Sequence, residues 1–364
     1  MAIMDAGGLE VLVNLLETDD VKCKIGSLKI LKEIVVHPDI RKAITHMGGI
    51  ELMVRILADA NKHLKLHAAE SLAKLAKYKK GRTIVRKNTG IPRVVDLLDV
   101  DMTKAENAAN EADVELSLDM KVARGGTYAL WSLCKSKRNR LLIKKAGGFP
   151  LLAKLIKSKN ISLLIPVIGT LQECAAEKSY CMAIQAEGMV EDFVSNLLND
   201  NMELRKHCAS AIFKCAQEEE TRALVKSNGG LEPLVALIKN NENHGNKELM
   251  AAVTGALWKL SMSEENVKCF QELELVPVLI GLLKDNSEGL DDLQFNQGKI
   301  QVLTNIVGAI AESARTHENR ELIREQEGLA PIIRLIASTS PGLLVNVAAA
   351  IGQMAEDVES LEQV

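Results

Sequence analysis

The sequence predicts an all-α solenoid, in which short helical repeats stack side by side. Apolar residues fall three and four apart along nearly the whole chain of 364 residues, which is the spacing of helices. A glycine, or the residue in its place, recurs at an interval of about 40 residues, typical of helical repeats. These marks are Gly8, Gly49, Gly90, Gly148, Gly188, Gly230, Glu274 and Gly328. Five prolines follow the marks closely, where a first helical turn tolerates the missing N–H: Pro92, Pro150, Pro233, Pro277 and Pro331.

Each repeat divides into a short helix before the glycine, a second helix after it and a long third helix. In repeat one, the second helix is predicted at residues 9–16 and the third at about residues 21–36. In repeat two, they are predicted at residues 50–57 and 64–77. A unit this small cannot bury its own apolar faces, so neighbouring copies must share their cores.

The marks divide the chain into seven full repeats and an eighth, partial one within a single solenoid. The repeats lie near residues 8–48, 49–89, 90–147, 148–187, 188–229, 230–273, 274–327 and 328–364. Two long intervals are assigned to inserts, an acidic one at residues 99–118 and a second at 286–298, on the same side of the solenoid. Residues 1–6 and 358–364 resemble cut helices. We therefore expect a longer protein, or partners that cover the ends.

Composition excludes several classes of protein. The net charge is −3 and aromatic residues are 3% of the chain, so base stacking on nucleic acid is not expected. No apolar run approaches the about 18 residues of a membrane span, and no signal peptide is evident. The cysteines show no metal-ligand spacing and are predicted to be small buried apolar residues in a reducing, cytoplasmic compartment: Cys23, Cys134, Cys174, Cys181, Cys208, Cys215 and Cys269.

The sequence predicts no catalytic, cofactor or metal site. His63 and His67 stand four apart, but no third ligand is evident. Gly125 and Gly126 open a helix without a preceding strand or a following GK[ST], so they are not a phosphate loop. An enzyme would need titratable groups with perturbed pKa values brought together by the fold.

The repeat resembles the armadillo family. The segments that carry the resemblance are AGGFPLL at residues 146–152 and ALWSLC at residues 129–134. HEAT repeats are similar in length but lack the short first helix and the glycine pair. The resemblance implies a right-handed superhelix of about eight three-helix repeats that acts as a binding scaffold.

Three further segments, residues 165–175, 252–259 and 343–347, are similar to armadillo proteins of motile cilia, which help attach outer dynein arms to doublet microtubules. This resemblance implies a non-catalytic adaptor in the cytoplasm and the ciliary axoneme. It implies as partners coiled-coil and tetratricopeptide-repeat docking subunits, the dynein heavy-chain tail and tubulin. The alternative is another armadillo scaffold, such as the substrate-binding part of a ubiquitin ligase or a junctional or signalling adaptor.

The third helices of armadillo proteins line a concave groove, where the family's import receptors carry a ladder of asparagines, each with a tryptophan four residues earlier. Here the earlier positions hold one aromatic residue, Tyr128, and none of the ladder positions holds asparagine, so an import receptor is not expected. The mixed charges predict a site for a partner helix or coiled coil, or else a solvated groove wall. The ladder residues are Glu33, Lys74, Ser132, Glu173, Lys214, Lys259, Glu312 and Gln353.

Basic residues concentrate in residues 71–95 and 120–172, which contain no acid. Eight of them follow the third helices of two adjacent repeats, so stacking predicts a single basic edge: Lys77, Lys79, Lys80, Arg82, Lys135, Lys137, Arg138 and Arg140. The matching loops farther along are acidic, at Glu218, Glu219, Glu220, Glu264 and Glu265. The edge is interpreted as a docking surface for an acidic partner, such as tubulin or an acidic coiled coil, or as an ordinary solvated rim.

Overall fold

The computed structural model of the protein describes residues 2–102, 116–287 and 297–361. Within these ranges the chain forms helices, turns and short loops, and no strand. The chain divides into two units, residues 1–189 and 190–364. The all-α class predicted from the apolar spacing is therefore confirmed.

The first unit contains the helices of the first four predicted repeats. The helices predicted at residues 9–16, 21–36, 50–57 and 64–77 are confirmed to within two residues at each end. The bounds in this unit are α1 Ala2–Asp5, α2 Gly8–Asn14, α3 Val21–Ile34, α4 Pro38–His46, α5 Gly49–Ile56, α6 Lys62–Leu75, α7 Lys79–Lys87, α8 Gly90–Asp96, α9 Leu118–Leu133, α10 Lys137–Lys145, α11 Gly148–Leu155, α12 Ile161–Cys174 and α13 Lys178–Ala186.

The second unit repeats the same order of helices, and α14 begins at the last residue of the first unit. Single 3-10 turns lie at Asn241–Asn243 and Leu335–Ala337. The bounds are α14 Met189–Asn196, α15 Met202–Cys215, α16 Glu219–Ser227, α17 Leu231–Lys239, α18 Lys247–Leu260, α19 Glu264–Glu272, α20 Leu275–Ser287, α21 Gln297–Ser313, α22 His317–Glu325, α23 Leu329–Arg334, α24 Pro341–Met354 and α25 Val358–Leu361.

The two predicted inserts fall largely outside the described residues. Of the acidic insert at residues 99–118, residues 103–115 are not described, and α9 begins at Leu118. Of the second insert at 286–298, residues 288–296 are not described, while α20 extends through Ser287 and α21 begins at Gln297.

The third helices of successive repeats pack against one another within each unit. In the first unit α3, α6, α9 and α12 pack in this order, and in the second unit α15, α18, α21 and α24 do so. The leucine two positions before each ladder residue of the first unit has no exposed surface; these are Leu31, Leu72, Leu130 and Leu171. Burying one such side chain contributes about 1.5–3 kcal/mol. Each unit thus has the shared core that the repeat pattern predicts.

A residue with left-handed backbone joins the first helix of each repeat to the second. These residues have φ between 53° and 76° and are Gly7, Gly48, Thr89, Gly147, Gly188, Gly229, Glu274 and Glu327. The sequence marks therefore mix two positions, because Gly188 and Glu274 are the left-handed residues themselves and the other marks come one residue later. At the later position a Cβ on Gly49 would lie 2.7 Å from Ile44 Cγ2. In a glycine pair, the first residue permits the positive φ and the second permits close packing.

The five prolines that follow the marks lie in the first turns of second helices. Each is the third residue of its helix, as in α8, which begins Gly90-Ile91-Pro92. The first turn has no intrahelical partner for a backbone N–H. The predicted placement of the prolines is therefore confirmed.

Five of the seven cysteines are buried, as the sequence predicts: Cys134, Cys174, Cys181, Cys208 and Cys215. The Sγ atoms of Cys134 and Cys174 lie 3.4 Å apart across α9 and α12. Burial raises the pKa of the Cys208 thiol, which keeps it neutral. Two cysteines differ from the prediction, because Cys23 is exposed at the start of α3 and Cys269 is only half-buried.

The second unit should lose stability in acid through Asp357. Its carboxylate accepts from Arg320 Nη2 at 2.9 Å and from Arg324 Nη1 at 3.0 Å, and these bonds hold its pKa well below the ordinary value of 3.8. A depressed carboxyl pKa contributes stability that is present above the ordinary pKa and is lost as pH falls below it. We expect the urea midpoint to drop between about pH 5 and pH 2. Asp357→Asn should lower the midpoint at neutral pH and reduce this acid-dependent loss; an unchanged acid dependence would contradict the assignment.

Candidate partner-binding groove and basic surface

A groove of about 550 Å³ lies on the third helices of the first unit. It brings together four of the predicted ladder residues, Glu33, Lys74, Ser132 and Glu173. The other lining residues are Lys32, Glu70, Ala73, Lys77, Tyr128, Trp131 and Lys135. The expected placement of these four ladder positions on one surface agrees with the stacking of α3, α6, α9 and α12.

Ion pairs between adjacent repeats fix one wall of the groove. Lys32 Nζ lies 3.2 Å from Glu70 Oε2, and Lys74 Nζ lies 3.3 Å from Glu33 Oε2. Lys74 Nζ also donates to the Lys32 carbonyl at 2.8 Å. The hydrogen bond and charge of Lys74 lower the pKa of Glu33. Burial alone would raise the pKa of Glu70, but the hydrogen bonds from His67 and Lys32 lower it overall. Both carboxylates are therefore ionised at neutral pH.

Aromatic side chains form the centre of the groove. The rings of Tyr128 and Trp131 stack with centroids 6.3 Å apart and an interplanar angle of 29°. The Trp131 ring lies against Gly169 of α12, where a Cβ would come within 2.5 Å of its Cε2 atom. This surface can take an apolar side chain of a partner, because stacked rings offer a large apolar area.

Lys77, Lys135 and Glu173 contribute the uncommitted charges of the groove. Both lysine side chains are exposed at the C-terminal ends of the third helices α6 and α9. Among the described residues, neither the lysines nor Glu173 form an ion pair. The groove therefore combines an apolar centre, internally paired charges, two unpaired cations and one unpaired carboxylate, that of Glu173.

The ladder residues of the second unit are Lys214, Lys259, Glu312 and Gln353. Lys259 is only 7% exposed, and its Nζ lies 3.6 Å from the centroid of the Trp258 ring. Burial lowers the pKa of Lys259. Glu312 pairs with Arg315 at 2.6 Å within the same region of the chain. One sequence interpretation treats the ladder residues as a solvated groove wall. Lys259 does not fit it, because its side chain is covered and packs on an aromatic ring.

Sequence reasoning missed a repeated pairing of aromatic residues with glycines. Trp131, Phe213 and Trp258 each immediately precede a ladder residue. Each ring lies against a glycine on the third helix of the next repeat, namely Gly169, Gly255 and Gly308. The signal was present in the sequence, because each glycine lies four residues before the next ladder position.

Two of the eight basic-edge residues close the ends of third helices. Arg82 Nη1 donates to the carbonyls of Ala76 at 3.0 Å and Lys77 at 2.9 Å. Arg140 Nη1 donates to the Cys134 carbonyl at 2.8 Å. Terminal carbonyls of a helix have no intrahelical partner, so these guanidinium groups satisfy them. Arg82 and Arg140 therefore have a structural contact that the edge interpretation did not include.

Glu177 neutralises part of the basic edge. Arg140 Nε donates to Glu177 Oε1 at 3.1 Å, and Lys137 Nζ lies 3.2 Å from Glu177 Oε2. The hydrogen bond from Arg140 holds the pKa of Glu177 below its ordinary value. Lys77 and Lys135 belong to the groove, so Lys79, Lys80 and Arg138 remain as exposed edge residues that form no ion pair among the described residues. In the second unit, Glu265 of the acidic set pairs with Lys226 at 3.1 Å.

The described part of the chain holds no group of three or more His, Cys, Asp or Glu side chains arranged for a metal ion. His67, one of the spaced histidine pair, contacts Glu70 instead, with Nδ1 at 3.3 Å from Oε2. In the same ranges, no helix combines the length and apolarity needed to cross a bilayer.

Known proteins similar to this chain include armadillo-repeat proteins. The chain is 48% identical over 288 residues, or 79% of its length, to cattle outer dynein arm-docking complex subunit 2. It is 40% identical over 287 residues, again 79% of its length, to the fruit-fly armadillo repeat-containing protein gudu. A designed armadillo-repeat protein superposes with a TM-score of 0.57 at 17% identity, covering 72% of this chain and 99% of the design.

The chain spans only part of its relatives: the matched region is 27% of the cattle protein and 43% of gudu. Comparison with descriptions of known protein families gives no match. The fold evidence nevertheless agrees at every level, from the repeat period through the stacked third helices to the similarity with a designed solenoid. The chain has the fold of the armadillo-repeat proteins, and over 79% of its length it is similar to a dynein-arm docking subunit.

Proposed function

We propose that this chain is a non-catalytic scaffold that helps dock outer dynein arms on the doublet microtubules of motile cilia. The observation that carries the proposal is the 48% identity over 288 residues to a protein named as a subunit of the outer dynein arm-docking complex. The proposed places of action are the cytoplasm and the ciliary axoneme. The proposed partners are coiled-coil and tetratricopeptide-repeat docking subunits, the dynein heavy-chain tail and tubulin.

The groove of the first unit is the site that we assign to a helical partner such as a coiled coil. Tyr128 and Trp131 offer an apolar surface, while Lys77 and Lys135 offer two cations beside it. A helix with an apolar residue and an acidic residue one turn apart would present both groups on one face. The paired charges on the groove wall favour partners of complementary pattern and disfavour others.

The scaffold proposal is tested by locating the tagged full-length protein in ciliated cells and identifying the proteins that co-purify with it. We expect a signal along the axoneme and recovery of docking-complex subunits. Enrichment at cell junctions, or co-purification with a ubiquitin-ligase module, would support the alternative armadillo scaffold instead.

Reversing the two uncommitted cations of the groove should weaken binding to the docking coiled coil. The variant Lys77→Glu/Lys135→Glu places two acids beside the partner's acidic face, and we expect a loss of about ten-fold in affinity, since repulsive charges at an interface are costly. The matched control is Lys22→Glu/Lys159→Glu, which changes net charge equally at exposed positions outside the groove. Equal binding by both variants, measured by calorimetry, would argue against the groove as the site.

A further inference from the structure

The first helices of the repeats differ in the charge of their opening residues. Four of them, α4, α16, α19 and α22, carry acids in the first turn: Asp39, Glu219, Glu220, Glu264, Glu265 and Glu318. Two others, α7 and α10, carry no acid in the first turn and begin with pairs of cations: Lys79, Lys80, Lys137 and Arg138. These two helices belong to adjacent repeats of the first unit.

Cations at the start of a helix oppose its own electrostatics. The unpaired N–H groups of the first turn give the N-terminus a partial positive charge, so acids stabilise it and cations destabilise it. Lys137 has a compensating partner in Glu177 at 3.2 Å. Among the described residues, Lys79, Lys80 and Arg138 form no ion pair, and all three are exposed. Their charges therefore act against the local stability of α7 and α10, and nothing in their packing requires them.

The two helices place their exposed cations on one surface. Arg86 Nη1 of α7 donates to Asn139 Oδ1 of α10 at 3.2 Å, so the helices are direct neighbours. At their C-terminal ends, Lys87, Lys144 and Lys145 are also exposed. We call the six residues Lys79, Lys80, Lys87, Arg138, Lys144 and Lys145 the first-helix patch. None of them lines the groove.

The dimensions of the first-helix patch suit an extended chain. A helix of nine residues is about 13 Å long, and packed helices lie about 8–10 Å apart. An extended polypeptide advances about 3.3 Å per residue, so about six residues cross the patch. The patch is a surface of separate point charges, because five of its six residues are lysines.

The chemistry of the first-helix patch favours an acidic polypeptide over other polyanions. Arginine forks are the usual partners of phosphate, yet Arg82, Arg86 and Arg140 all donate to groups within the first unit. The exposed aromatic residue beside the patch is Tyr78, and the Arg41 guanidinium covers one face of its ring at 3.4 Å from the centroid. The patch itself adds no second ring on which successive nucleic-acid bases could stack. A lipid surface would need an apolar helix face beside the cations. The large apolar side chain exposed on α10 is Leu141, which alone does not form such a face.

We propose that the first-helix patch binds an extended, glutamate-rich segment of a partner protein. The proposal rests on the proposed scaffold function, since it assigns one surface of that scaffold to one chemical class of partner. The segment lies across α7 and α10 and pairs its carboxylates with the patch lysines, while the groove on the third helices remains open to a different partner.

The test measures binding of a fluorescein-labelled decaglutamate peptide to the full chain by fluorescence anisotropy. Binding should weaken steeply as salt rises, because the contacts are exposed ion pairs. The variant Lys79→Glu/Lys80→Glu/Arg138→Glu should weaken binding by about ten-fold or more. The control Lys22→Glu/Lys159→Glu/Lys268→Glu has the same net charge, and its altered positions are exposed and outside the patch; it should change binding by less than about two-fold.

A second variant separates binding from stability. Lys87→Glu/Lys144→Glu/Lys145→Glu changes the C-terminal ends of α7 and α10, where cations favour the helix. It should weaken peptide binding to a similar extent and lower the melting temperature. The first variant should instead leave the melting temperature unchanged or raise it. Parallel loss of stability and binding in both variants would overturn the proposal, because the cations would then be structural.

Three other outcomes would also overturn the proposal. The first is equal weakening by the control variant, which would mean that only net charge matters. The second is tighter binding of single-stranded DNA or anionic vesicles than of decaglutamate at the same salt. The third is no saturable peptide binding at low salt. The scaffold function is tested separately, by co-purification with docking subunits. Failure of the peptide assay would therefore overturn the patch proposal without affecting the scaffold proposal, and the two failures are distinguishable.

Discussion

Gly169→Ala will destabilise the first unit, although alanine normally improves a helix. A Cβ at this position would lie 2.5 Å from Trp131 Cε2 and 2.8 Å from two further atoms of the same ring. A rigid indole cannot move aside without disturbing α9, and such overpacking costs about 1–3 kcal/mol. The intrinsic gain of alanine over glycine within a helix is at most about 1 kcal/mol. We therefore expect a net loss of up to about 2 kcal/mol.

Gly26→Ala is the matched control for this prediction. Gly26 also lies within a third helix of the first unit, α3, and a Cβ there would meet nothing within 4 Å. It should raise stability by about 0.4–1 kcal/mol. Urea denaturation followed by circular dichroism at 222 nm (the usual helical band) compares the two midpoints. A Gly169→Ala protein as stable as Gly26→Ala would show that the Trp131 contact does not limit the approach of α12.

A compensating change sharpens the same test. Trp131→Val removes the ring that meets the new methyl group, so adding Gly169→Ala to Trp131→Val should cost less than adding it to the natural sequence. Residues in contact typically show coupling of about 0.5–3 kcal/mol. The coupling has a functional consequence, because Trp131 and Tyr128 form the centre of the groove. The glycine on α12 therefore holds in place the aromatic surface of the proposed binding groove.

The fold could be predicted from sequence because its signals are local. Apolar spacing identifies each helix, and turn glycines and first-turn prolines mark where second helices begin. The register was wrong by one residue at Gly188 and Glu274, where the second position of the turn holds Met189 and Leu275 and so lacks a glycine. A sequence pattern locates the turn by its glycine. The turn itself is defined by a residue with positive φ, and in three repeats that residue is not a glycine but Thr89, Glu274 or Glu327.

The site could be predicted only in part, because side-chain contacts join residues about one repeat apart. The third-helix register placed Glu33, Lys74, Ser132 and Glu173 on one surface, and the groove contains all four. The burial of Lys259 depends on its position over the Trp258 ring, which lies against Gly308 in the next repeat. A charge count along the sequence cannot separate such a covered cation from an exposed one.

The same limit applies to the basic edge, because a charge count does not show which of its cations are covered and already paired. Arg140 tests this most directly. Its side chain is 11% exposed, donates to the Cys134 carbonyl at 2.8 Å and pairs with Glu177. Arg140→Met should cost about 2–3 kcal/mol, because charged hydrogen bonds are lost and the carbonyl at the end of α9 is left without this donor. Lys135→Met, at an exposed position that forms no ion pair among the described residues, should change stability by less than about 0.5 kcal/mol.

A double-mutant cycle then separates the Arg140–Glu177 pair from the helix-end contact. Glu177→Gln alone removes the charge that faces Arg140 and Lys137, and it should cost less than Arg140→Met because the Cys134 carbonyl keeps its donor. The two changes together should show a coupling of at least about 0.5 kcal/mol, as residues in one hydrogen-bond network do. If Arg140→Met instead left the urea midpoint unchanged while weakening binding to acidic partners, Arg140 would be a docking residue, as its position in the charge pattern first indicated.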